Sequence, residues 1–76
     1  MKELLEMIIK NLVADKEAVS IEEVQGEKTL VYEVRVAKND MGKVIGREGK
    51  IAKAIRTVIK AIASKEEKQV TVEFID

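Results

Sequence analysis

The sequence predicts an α+β fold, a three-stranded mixed sheet covered on one face by three helices, in the order α-β-β-α-α-β. Three observations carry this reading. Apolar residues recur every three to four positions over 2–13 and again over 49–64. They alternate at every second position near 18–25, 29–37 and 69–75. The last two strands are separated by two helical segments, a connection that lets them lie parallel in a right-handed crossover.

Each element has its own justification. In the first helix, 2–13, Leu5, Ile8, Ile9 and Leu12 share a face, with Lys2, Glu6 and Lys10 elsewhere. The first strand, about 18–25, rests on Val19 and Ile21. Val24 falls out of phase and predicts a bulge or a strand end there. Gln25-Gly26-Glu27-Lys28 is a turn signal, so the first two strands form an antiparallel hairpin. Over 29–37, Leu30, Tyr32, Val34 and Val36 alternate with Glu33 and Arg35. Asn39-Asp40 precedes a short helix over 41–45, with Asp40 as its N-cap. Gly46 ends that helix in the left-handed C-terminal position. In the longer helix, 49–64, the wheel places Ile51, Ile55, Val58 and Ile62 in one stripe, with Ile59 beside it. Lys53, Arg56 and Lys60 fall opposite. The polar loop 64–68 leads to the last strand, 69–75, where Val70, Val72 and Phe74 alternate.

Composition bounds the chemistry. The 76 residues form one domain, 1–76. A chain this short buries only about 60% of its unfolded surface, so its core is small. It has no cysteine and no histidine. Disulfides, thiolate or imidazole metal sites, cysteine nucleophiles and histidine bases are therefore excluded. No apolar run exceeds three residues, so nothing spans a membrane. Lys2, Glu3 and Glu6 interrupt the N-terminal apolar pattern, unlike a signal peptide. These features predict a cytoplasmic protein. Charged residues reach 37%, against about 25% in typical domains, which leans toward a heat-adapted source.

The formal net charge is zero, which by itself argues against a nucleic-acid partner. Its distribution argues the other way. Residues 1–37 carry a balance of −3 and residues 61–76 a balance of −2. Residues 38–60 carry +5.

That basic segment contains three of the four glycines, in Gly42-Lys43-Val44-Ile45-Gly46-Arg47-Glu48-Gly49-Lys50. A glycine-rich turn lets backbone approach a ligand closely. The N-terminus of the following helix aims free N–H groups at the turn, which favours an anion. Lys43, Arg47 and Lys50 add positive charge. A nucleoside-triphosphate P-loop is rejected, because its first glycine position holds Val44 and its Ser/Thr position holds Ile51.

The stretch Ile45-Gly46-Arg47-Glu48-Gly49-Lys50-Ile51-Ala52-Lys53-Ala54-Ile55 resembles the KH-domain signature built around a GxxG loop. The helix and strand on the N-terminal side match the type II arrangement. The resemblance covers essentially the whole chain, and its size and the run Lys50 to Thr57 are similar to the KhpA family of small bacterial RNA-binding proteins. Ala18-Val19 matches too. The resemblance implies a loop that clamps the backbone of about four single-stranded nucleotides. It also implies cytoplasmic RNA binding, self-association to a homodimer, and pairing with a KhpB-like KH protein.

The candidate RNA-binding residues are Lys43, Val44, Ile45, Gly46, Arg47, Glu48, Gly49, Lys50 and Lys53. Arg47, at the loop tip, is the leading phosphate contact. Lys43 and Lys50 flank the loop. Glu48 repels phosphate or stabilises the helix start through its dipole. Val44, Ile45, Ile51 and Ile55 read as core, and the KH resemblance lets some of them floor a base-binding groove. Arg56 and Lys60 read as solvated. Tyr32 and Phe74 read as core rather than stacking platforms. No carboxylate pair or other catalytic constellation stands out, and no cofactor or metal is expected. The sequence thus predicts a non-catalytic binder of single-stranded RNA, acting as a post-transcriptional regulator or RNA chaperone. The alternative is a protein-interaction module that works through dimerisation or partner pairing.

Overall fold

Leu5 and Ile9, one helical turn apart, are fully buried and orient the first helix, α1 (Lys2–Leu12), against the sheet. The computed structural model describes residues 1–65 and 67–75. Strands β1 (Ser20–Gln25) and β2 (Thr29–Arg35) follow α1. Helices α2 (Met41–Ile45) and α3 (Lys50–Ile62) come next, and strand β3 (Gln69–Phe74) is last. Single turns of 3-10 helix at Lys16–Ala18, Lys38–Asp40, Arg47–Gly49 and Ala63–Lys65 join these elements. The element order is the expected one. The expected loop 64–68 includes residue 66, which lies outside the described residues, as does residue 76 of the expected domain 1–76.

The strand order is β1-β2-β3. β1 pairs antiparallel with β2, Ile21 opposite Val34, and β2 pairs parallel with β3, Tyr32 opposite Val72. Alternation then places Ile21, Tyr32, Val34, Val70 and Val72 on one face, all buried. They pack with Leu5 and Ile9 of α1, Val44 of α2, and Ile55 and Ile59 of α3 in a single core. A five-residue helix is unstable alone. Burial of Val44 contributes about 1.5–3 kcal/mol and holds α2 in place.

The opposite face of the sheet is acidic. The register sets Glu22 opposite Glu33 and Glu33 opposite Glu73, one carboxylate per strand in a row. Arg35 partly offsets it, reaching Glu22 at 3.7 Å. Among the described residues, no helix is long and apolar enough to cross a membrane.

Two sequence expectations need correction, and a third had two outcomes of which one holds. β1 begins at Ser20, because Lys16–Ala18 forms a turn of its own. Of the two outcomes expected at Val24, the strand end holds: the ladder runs without a bulge through Val24, which pairs with Val31 on the acidic face. Its phase is that of a side chain pointing away from the helices, one residue before the strand ends. In α3, the buried line is Ala52, Ile55 and Ile59, continued by Ala63. Val58 and Ile62 are 45% and 49% exposed. The apolar stripe is wide enough for either shoulder to face inward. The small side chains of Ala52 and Ala63 let the helix approach closely on theirs.

Candidate nucleic-acid interface

The turn between α2 and α3 is built from unusual backbone. The Gly46 N–H donates to the Gly42 carbonyl at 2.9 Å and closes α2. Gly46 then adopts φ 78°, ψ 175°, a combination essentially restricted to glycine. It was expected in the left-handed helical region. That region is occupied instead by Glu48 (φ 59°, ψ 23°) and Gly49 (φ 75°, ψ 15°). The Gly49 N–H returns to the Gly46 carbonyl at 3.2 Å. A Cβ on Gly46 would stand 2.6 Å from Ile51 Cγ1, so the loop backbone is pressed onto the first turn of α3. A Cβ on Gly49 would meet nothing within 4 Å, and the same holds at Gly42. Bare backbone therefore faces open space on both sides of the turn.

The start of α3 has no side-chain cap. The Lys50 N–H, the first of the helix, donates to the Arg47 carbonyl, and the positive end of the helix dipole faces the loop. Arg47, Lys50 and Lys53 are exposed around it. Among the described residues, none of these three side chains forms an ion pair or a hydrogen bond. Glu48, also exposed, adds the one negative charge of the turn.

The remaining predicted residues divide. Val44 is fully buried and its side chain serves the core, while Ile45 and Ile51 are half-buried beside the loop. Lys43 is 52% exposed, with its Nζ 3.1 Å from Asp40 Oδ1. Asp40 was expected to cap α2, yet it makes no capping bond there. Its carboxylate faces back toward α1 instead, accepting the N–H of Ala14 at 3.1 Å and of Asp15 at 3.0 Å. These two backbone bonds, and then Lys43, hold its pKa below the ordinary carboxylate value. Arg56 is exposed, and it also binds the β3 backbone through a hydrogen bond to the Val72 carbonyl. The spacing of Asp40 and Lys43 was visible in the sequence. Their link to amides 25 and 26 residues upstream had no sequence signal.

Comparison with known proteins places the chain in a family. The family model described as KhpA/KhpB, KH domain, matches residues 2–74. A Clostridium perfringens protein named RNA-binding protein KhpA is 57% identical over 99% of this chain and 100% of its own length. Its Clostridium acetobutylicum counterpart, with the same name, is 59% identical over the same shares. The protein so named from Chlamydia trachomatis is 49% identical over 100% of this chain and 97% of its own. Among solved structures, a variant of Aquifex aeolicus Era bound to GDP and aluminium fluoride matches with a TM-score of 0.56 at 20% identity. That match spans 95% of this chain and 28% of the larger one, and it speaks to the fold alone.

Proposed function

Because the chain belongs to the KH-domain family of KhpA and KhpB, we propose that it binds single-stranded RNA without catalysis, with Gly46 to Gly49 clamping the RNA backbone. The observation that carries this is the open face of Gly49 at the uncapped start of a 13-residue helix, between the unpaired cations Arg47 and Lys50. Phosphates would sit at the positive end of α3 and accept from the side chains of Arg47 and Lys50, while Lys53 lies one turn further from the loop and adds positive field rather than a contact. The half-buried Ile45 and Ile51 would meet bases by apolar contact. The acidic opposite face of the sheet repels phosphate and supports this orientation. In the cytoplasm, such a protein acts as a post-transcriptional regulator or RNA chaperone.

The test pairs binding with folding. Replacing Arg47 and Glu48 together by Asp should abolish binding to a degenerate pool of single-stranded RNA. The circular dichroism spectrum should stay that of the parent. Unchanged binding would place the RNA on another surface, and absence of binding by the parent would overturn the reading.

A second reading rests on Val58 and Ile62. They lie one turn apart on α3, apolar and nearly half exposed. Such a pair suits contact with a second copy or with a KhpB-like KH protein. Sedimentation at several concentrations, with and without Ile62→Glu, separates a dimer through this face from a monomer.

A further inference from the structure

Of the cations beside the loop, Lys43 alone has an anion in contact among the described residues. Asp40 sits three residues earlier, on the same side of the chain as it enters α2, and is 2% exposed. Oδ1 holds Lys43 Nζ at 3.1 Å and accepts from Ala14 N–H at 3.1 Å, while Oδ2 accepts from Asp15 N–H at 3.0 Å. The two amides belong to the turn after α1, so the carboxylate is tied down and cannot follow Lys43 toward a ligand. They also keep it ionised, since both lower its pKa. An RNA phosphate that recruits Lys43 must therefore break an existing pair with a fixed anion. Arg47 and Lys50 have no such pair to break.

We propose that Asp40 masks Lys43, so that RNA phosphates meet two loop cations, Arg47 and Lys50, rather than three. The proposal rests on the RNA-binding reading above and sets its strength. For a single strand, the slope of log affinity on log salt is about −0.7 per phosphate neutralised. Two cations give about −1.4, or about 7-fold weaker binding from 50 to 200 mM salt, and three give about −2.1, or about 18-fold.

The experiment titrates salt against a degenerate single-stranded RNA pool, for the parent, Asp40→Asn, Lys43→Met and the double variant. Asn keeps the size of Asp40 and an acceptor oxygen but removes the charge. The parent should give about −1.4, and Lys43→Met should move it by less than about 0.2. Asp40→Asn should steepen the slope to about −2.1, and adding Lys43→Met should return it to about −1.4. Masking is overturned if Lys43→Met flattens the parent slope by about 0.7, or if folded Asp40→Asn leaves it at about −1.4. Should Asp40→Asn fail to fold, the parent and Lys43→Met decide the question by themselves. Binding by none of the four proteins would overturn the RNA reading and this inference with it. Binding with a Lys43-dependent parent slope overturns the masking alone.

Discussion

Arg56 on α3 donates its Nε–H to the carbonyl of Val72 on β3 at 2.8 Å, and its guanidinium carbon lies 5.6 Å from the centroid of the Phe74 ring. The Gln69 and Ile75 N–H groups donate to the carbonyls of Lys28, just before β2, and of Val34 within it. Backbone direction alternates along a strand, so the Val72 carbonyl points to the free edge of β3. Arg56 thus occupies an acceptor that a further strand would otherwise take, and its charge guards the edge.

Replacing Arg56 by Ala should therefore have two effects. Loss of one hydrogen bond and of the stacking over Phe74, both near the surface, should lower stability by about 1 kcal/mol. Urea denaturation measures that. The uncovered edge should also add strands from other copies, so sedimentation should show association that grows with concentration. A variant that stays as monodisperse as the parent would show that the edge needs no guard.

The two glycines of the loop should differ in their tolerance of alanine. At Gly46 a methyl group meets Ile51 at 2.6 Å and the backbone conformation is nearly closed to L residues. Gly46→Ala should cost about 3 kcal/mol, from strain and overpacking together. At Gly49 there is open space, so only the positive φ counts and Gly49→Ala should cost about 1 kcal/mol. A domain of this size holds about 4–11 kcal/mol in total, so the first change approaches unfolding and the second does not. Equal costs in thermal melts would contradict the geometry.

Glu48 carries two penalties at one position. It is held in the left-handed region, at φ 59°, where asparagine is better tolerated. It also brings an anion to a turn read as a phosphate site. Glu48→Asn should stabilise the fold by about 0.5 kcal/mol. It should also tighten RNA binding about threefold at low salt, an advantage that fades as salt rises. A variant that is more stable but binds no better would mean that the Glu48 carboxylate lies away from the RNA path.

Much of the fold was legible in the residues themselves. Period-2 and period-3.6 patterns locate the elements because side chains on strands and helices must alternate between core and water. The Gly46-Arg47-Glu48-Gly49 turn could be read because glycine spacing and flanking cations lie in one short segment. Tertiary structure decided what depends on residues far apart in the chain. It buried Ala52 and Ala63 instead of Val58 and Ile62, since either shoulder of α3 is apolar and only contact with the sheet selects one. It turned Asp40 from a helix cap into a tie for Ala14 and Asp15, which also holds Lys43. It also brought Arg56 to the edge of β3. A local pattern fixes which face is apolar and which segment is charged. Which charges stay free is settled by long-range neighbours, and they decide how much of the positive segment can reach a phosphate.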